Sequence, residues 1–471
     1  MDSKQIINYR QFAWLTAAIL TGGGLVSIQQ ILVRVGHSDA WSAYMIPMLY
    51  ALVVAALFGM LVKRFPNKHI FEINKIVFGS VIGTIANLVL LFHLWLILTR
   101  DLSSFGKFVG ITLLPNTPGE IIILLLVLLL ISFGNTSIEV LARVNDLFFP
   151  AFVVITLLTP LALSNEMDLR LVQPILTRSW SSIFSINVLT LGWYGDIFVM
   201  GAFLHTLWGS QHVRSAIRHG ALLATLMISL FILLEIVVLG STIPGNLVYP
   251  NYSLIQQIHI SDFLDRMDLI ILSIWFPVTA CAVLIIYLAF QIGVASLVSQ
   301  RDYSTINTPI ALLVLITTVL AFKSTTEVFS FGNFSSPVIM LSYQPVLFVM
   351  LGLLSLRHPI PQPKTNKQPE DEKASTSKDN EAAQSSKTSK PASPLQPKPF
   401  QGWEQWTHLL LTISLAALII GLWKGNGWAS LGLVCGCIYG LCSILLVYTS
   451  YMETHSLQQK LTSSPQSTSQ Q

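Results

Sequence analysis

Two apolar stretches decide the fold: QFAWLTAAILTGGGLVSIQQILV at 11–33 and IFSINVLTLGWYGDIFVMGAFLHTLW at 183–208. Each can cross a bilayer, whose hydrocarbon core of about 30 Å takes roughly 20 residues of helix. Each is also interrupted near its middle, the first by Gly22, Gly23 and Gly24, the second by Gly192, Gly195, Asp196 and Gly201. Glycine in a helix interior costs about 1 kcal/mol relative to alanine. Single glycines in membrane helices serve close packing, but three in a row exceed what a small-residue contact face needs. The run predicts irregular backbone at mid-membrane depth, which is tolerated only where it lines a cavity or binds something.

The rest of the chain supplies the context. Further apolar stretches of near-spanning length fall at 41–62, 78–99, 119–137, 147–163, 220–240, 269–297, 307–322 and 334–356, then 407–423 and 428–450 after a gap. The interrupted stretches are therefore the first and sixth of ten. Five is odd, so the second set of five enters from the opposite face of the membrane. Paired interrupted helices at corresponding positions of an inverted repeat point to a midplane binding site. The expected fold is an all-α polytopic membrane protein, ten transmembrane helices in a 5+5 inverted repeat followed by a two-helix transmembrane hairpin.

Composition agrees. Of 471 residues, 53% are hydrophobic and 11% charged, with a mean hydropathy of +0.65, whereas a soluble domain carries about 25% charged residues. The apolar excess excludes a disordered chain, and four cysteines exclude a disulfide scaffold. A net charge of +4, scattered between apolar runs, marks no nucleic-acid binder. Cys281, Cys435, Cys437 and Cys442 lie within apolar stretches without His or carboxylate neighbours at ligand spacing, so they read as buried membrane thiols and no metal is expected. The first apolar run is too long for a signal-peptide core. No HExxH, GxSxG or phosphate-cradling loop is present, so neither an enzyme nor a cofactor site is expected.

With the N-terminus inside, 19 Lys and Arg fall on the cytoplasmic side and 8, including Arg100, outside. Both termini are therefore expected to be cytoplasmic. Residues 358–402 hold almost no large apolar side chains and read as a disordered tether. The domains read as a core at 1–357, this tether, a hairpin at 403–455 and a disordered tail at 456–471. Between Ser241 and Asp268, Leu254, Ile255, Ile258 and Phe263 recur at near-helical spacing and predict a short interfacial helix.

Several side chains are candidates for function. Asp196 near a bilayer centre should face a cavity, a ligand amine or a proton, the alternative being a bond to helix backbone. Thr21 to Gly24, Gly192, Tyr194 and Gly195 complete the candidate ligand site. His93 and Glu235 are candidates for a proton or polar relay, weighed against helix packing and interfacial hydration. Glu139 and Arg143, at i and i+4, with Asp146 on the next turn, read as a helix corner or inner gate. Arg266, within an Asp262–Asp268 acidic cluster, stands at the outer mouth, where a solvated helix start is the plainer reading.

Six segments resemble a known family. They are DAWSAYM (39–45), KRFPNKHIFE (63–72), LLPNTP (113–118), IEVLARVNDLFFP (138–150), YPNYSLIQQIHISDFLDRMD (249–268) and Trp275. In this order they are similar to the spore germination permeases, the B subunits of GerA-type nutrient germinant receptors in the amino acid–polyamine–organocation superfamily. The resemblance implies a LeuT-like fold with the site at the breaks of helices one and six. It also implies a spore inner membrane, A-type and C-type partner subunits, and a small nutrient ligand, usually an amino acid. The first helix lacks the proline common after its glycines, and Trp193 and Tyr194 are bulky beside the second break. The glycine-bearing hairpin resembles the two-helix D subunits in composition. A proton-coupled amino acid transporter and a scaffold without ligand binding stand as alternatives.

Overall fold

A computed structural model describes residues 7–207, 210–259, 266–298, 304–360, 399–425 and 427–463. Chain entry is set by a capping box: Asn8 accepts from the Arg10 amide, and Gln11 Oε1 accepts from the Asn8 amide at 3.0 Å. Helix α1 runs Tyr9–Ser27 with a turn at Gly23, then bends by 68° into an outer arm, Gln29–Ser42. Next come α2 (Met45–Arg64), a short helix Ile70–Phe78, and α3 (Ser80–Thr112), entered through Gly79 in the left-handed region at φ 82°. α4 (Gly119–Phe133) and α5 (Ile138–Ala162) complete the first five. α6 is helical over Trp180–Tyr194 and tightens to a 3₁₀ helix over Gly195–Thr206. α7 (Ser210–Leu239), short turns at Pro244–Asn246 and Pro250–Ile255, α8 (Met267–Val298), α9 (Ser304–Ala321) and α10 (Thr325–Ser355) follow. The hairpin is α11 (Pro399–Lys424) and α12 (Ala429–Ser463).

Among the described residues, nine helices are long and apolar enough to cross a membrane, the bent α1 makes a tenth, and α4 and α9 are shorter apolar helices. The chain is a multi-pass, all-α membrane protein. Its packing repeats with a period of five helices. α1 packs on α7 and α5, and α6 packs on their counterparts α2 and α10; α5 lies on α8 as α10 lies on α3.

Three expectations need correction. The third stretch was read as ending at residue 99, with Arg100 in an outer loop. Instead α3 is 33 residues long, and Arg100 is 1% exposed inside it. Hydropathy takes any charged pair as a boundary, whereas a helix continues through charges that find partners. Next, the glycine run does not unwind α1: Gly23 keeps right-handed helical angles, and the sharp bend falls at Ile28. Of the four cysteines, Cys281, Cys435 and Cys442 are buried, but Cys437 is exposed. The interfacial helix expected between 241 and 268 forms at Pro250–Ile255; Phe263 and the acids at 262 and 265 lie outside the described residues. So does most of the tether, together with the tail from 464 onward.

The hairpin docks against α7. Near its inner end Glu453 of α12 pairs with Arg218, both buried, and accepts from Ser215 Oγ at 3.2 Å. At its outer end the Ile175–Leu176 segment lies in the turn, where Gly425 and Gly432 leave room for its backbone carbonyls. Leu176 adopts φ 56°, and Asp39 of the outer arm accepts from the amides of Leu176, Thr177 and Arg178 at 2.6, 3.0 and 3.1 Å.

Candidate functional site

The bend in α1 and the 3₁₀ stretch of α6 both free backbone carbonyls, and inside a membrane those need partners. Side-chain amides supply them. Gln29 Nε2 donates to the Gly24 carbonyl at 2.8 Å, Asn251 Nδ2 to Leu25 at 2.5 Å and Asn333 Nδ2 to Ser27 at 3.2 Å. On α6, Gln344 Nε2 donates to the Gly195 carbonyl at 3.0 Å, and its Oε1 accepts from Tyr50 at 2.8 Å. Asn333 sits in a π-helical turn of α10, Phe331–Ser335, whose extra residue re-aims the helix face at the break.

Between the breaks lies an ion triad. Arg100 Nη2 donates to Asp196 Oδ2 at 2.6 Å, and its Nε donates to Asp101 Oδ1 at 2.8 Å. Its guanidinium carbon stands 3.9 Å from the centroid of Trp193, a cation–π contact strengthened where water is excluded. Arg100 Nη1 and Asp196 Oδ1 are buried, with no hydrogen-bond partner among the described residues. The Trp193 ring covers Gly23 so closely that a Cβ there would collide with it. Beside it a cavity of about 20 Å³, bounded by Gly22, Gly23, Asp101, Ser104 and Thr279, has room for one water-sized group. Fully ionised, one guanidinium and two carboxylates leave a net charge of −1 in the protein interior.

The structure brings Gly22, Gly23 and Asp196 to this centre; Gly24 faces Trp193 and Tyr44 at its edge, and Gly195 faces Met340 and Gln344 of α10. The other candidates point elsewhere. Thr21 Oγ1 donates to the Ala17 carbonyl at 2.8 Å, satisfied on its own helix. Gly192 is the close contact with α10, where an added Cβ would come within 2.5 Å of Pro337. Tyr194 turns to α7 and bonds Thr225 at 2.8 Å. His93 pairs with Tyr343 at 2.5 Å and stacks on Phe198. Glu235 is 0% exposed in α7, packed inside the protein rather than hydrated, with both carboxylate oxygens unpartnered among the described residues.

At the start of α5 Arg143 donates to Glu139 at 2.5 Å, an exposed i,i+4 pair. Asp146 accepts from Gln11 Nε2 at 2.9 Å and Arg10 at 3.4 Å, tying α5 to the start of α1. At the start of α8 Arg266 Nε donates to Asp268 at 3.1 Å. Among the described residues no group of three or more His, Cys, Asp or Glu side chains is placed to hold a metal ion.

Arg100 and Asp101 escaped the sequence reading because they were taken as the end of a span. The available signal was their adjacency: a neutral-sum pair inside a long apolar helix. Gln29, Asn251, Asn333 and Gln344 carried no motif, since an amide that caps a freed carbonyl is recognisable only once the break is located.

Known proteins place the chain. It is similar to the putative spore germination protein YfkT of Bacillus subtilis, 24% identical over 337 residues, which cover 70% of this chain and 88% of that protein. It is also similar to spore germination protein B2 of the same organism, 21% identical over 274 residues, 58% of this chain and 74% of that one. A solved structure of Mhp1, a nucleobase-cation-symport-1 family transporter, aligns with 97% of this chain and 99% of its own at a TM-score of 0.48 and 10% identity, a similarity too low to carry an argument. The spore germination protein family, a family of permeases, matches residues 6–328. With well over half its length matched, and with the broken helices and buried triad lying within the match, this chain belongs to the spore germination permeases.

Proposed function

We propose that this protein is the membrane-embedded nutrient sensor of a germinant receptor, and that its ligand is an amino acid held between the breaks of α1 and α6. The observation that carries the reading is the buried triad with one guanidinium nitrogen and one carboxylate oxygen unpartnered. A zwitterion answers both. Its carboxylate meets Arg100 Nη1 beside Gly23, and its ammonium meets Asp196 Oδ1. The ligand's two charges cancel, so the site keeps its net charge of −1 while each charged group gains a partner of opposite sign. Trp193 fills the space over Gly23, so binding requires its ring to turn aside. Asp146, bridging to Gln11, belongs to the inner closure of the same site.

On this reading the protein lies in the spore inner membrane with both termini cytoplasmic and works with A-type and C-type subunits. The fused hairpin, residues 403–455, takes the place of a D-type partner. The test is a nutrient dose–response of spores carrying Asp196→Asn, scanned over single amino acids, with immunoblots for the receptor subunits. The expected result is a midpoint shifted at least 10-fold at wild-type abundance. An unchanged midpoint at that abundance removes Asp196 from the ligand site.

A further inference from the structure

We propose that the crevice between α7 and α12 holds an acyl chain of a bilayer phospholipid as a built-in component of the folded protein. The void measures about 620 Å³. Its long walls are α7 from Leu222 to Val237 and α12 from Leu433 to Leu446. That stretch of α7 rises about 22 Å at 1.5 Å per residue, more than the roughly 15 Å of hydrocarbon in one leaflet. A full-length chain fits along it.

Among the described residues no charged side chain lines the crevice; its polar groups are a few hydroxyls, the Gln173 amide, the Trp41 indole N–H and the Cys437 thiol, and Thr225 is already bonded to Tyr194. Water there would find too few partners to be stable. Both ends are closed. The buried Arg218–Glu453 pair seals the inner end, and Ile175 and Leu176, seated on Gly425 and Gly432, seal the outer one. A partner's transmembrane helix, about 10–12 Å wide and running the full bilayer, has no path through a slot shut at both ends. An acyl chain enters sideways. The exposed Arg170 stands in sequence between the lining residues Leu169 and Val172, a cation at the rim that a headgroup phosphate would complement. Gly440 opens the α12 wall: a Cβ there would meet no atom within 4 Å.

Native mass spectrometry of the full-length protein, released from mild detergent and titrated with palmitoyl-oleoyl phosphatidylglycerol, tests this. Wild type should retain one phospholipid through detergent exchange. Gly440→Trp, which fills the slot without meeting backbone, should bind it at least 10-fold more weakly, and Gly440→Ala should behave as wild type. If Gly440→Trp does not remain monodisperse, Ser229→Trp on the opposite wall is read instead. A lipid-free wild type, equal retention by wild type and the filled variant, or cross-linking of Cys437 to another polypeptide in native membranes would each overturn the proposal.

Discussion

Neutralising Arg100 and neutralising Asp196 have opposite effects on the charge of the triad, and this fixes an asymmetry that can be measured. Arg100→Leu leaves two carboxylates buried at a charge of −2, with Trp193 stripped of its cation. Removing one partner of a buried ion pair costs about 3–5 kcal/mol. Asp196→Asn leaves the Arg100–Asp101 pair, 2.8 Å apart, at net zero. A hydrogen bond to a charged group is worth about 1.5–3 kcal/mol, but the asparagine oxygen still accepts from Nη2, and the surplus buried charge is gone. The net cost of Asp196→Asn should fall below about 1 kcal/mol, against more than about 3 kcal/mol for Arg100→Leu. Unfolding of the purified variants in mixed micelles of rising SDS fraction reads the difference, and membrane abundance should rank them the same way. Equal destabilisation by the two substitutions would refute the charge accounting and recast Asp196 as a structural ligand of Arg100.

Gly23→Val should push Trp193 off its seat, raising the accessibility of the ring to an aqueous quencher and weakening the nutrient response, since the Cβ overlaps the indole. At the hairpin, Glu453→Ala should destabilise by about 3–5 kcal/mol by leaving Arg218 buried alone, whereas the double change Arg218→Met, Glu453→Leu should recover most of that loss; the same SDS titration checks both, and a double variant no better than the single one would count against the pair. His69, outside the spans, is buried and its pKa is pushed from 6.5 down to about 4. The unfolded chain therefore takes up the proton first as pH falls, so this group's stabilisation is intact above about pH 6.5 and erodes towards pH 4, by about 3 kcal/mol in all. Thermal melts across that range should be flatter for His69→Gln.

Apolar length and glycine position made much of the fold legible, because both report what a bilayer permits. Apolar helices appear where uncharged runs occur, and the first and sixth deviate from regular helix, the sixth at Gly195 within its glycine-bearing stretch and the first at Ile28, beyond its glycine run. What stayed hidden depended on tertiary contact. The α1 bend falls at Ile28, a residue with no breaking propensity, where Gln29, Asn251 and Asn333 from three parts of the chain meet the freed carbonyls. Arg100 was invisible as a site residue because a hydropathy window cannot tell a charge that ends a helix from one whose partner lies 96 residues away. Asp196 was visible for the converse reason: within its own stretch nothing neutralises it.

The Asp39 carboxylate has a mechanical meaning. It gathers three successive amides of the segment whose Ile175 and Leu176 sit in the hairpin turn, and it belongs to the arm of α1 beyond the bend. Arm, loop and hairpin turn are thus linked in series by short-range contacts, with Leu176 held in a left-handed conformation between the Asp39 carboxylate and the hairpin turn. A swing of the outer arm large enough to open the mouth must either break all three hydrogen bonds at once or carry the far tip of α11 and α12 along. The hairpin's other end is pinned to α7 through Glu453, so the second course makes α12 a lever with its fulcrum at Arg218, and a movement at the outer face reappears, reversed in sense, on the opposite side of the membrane.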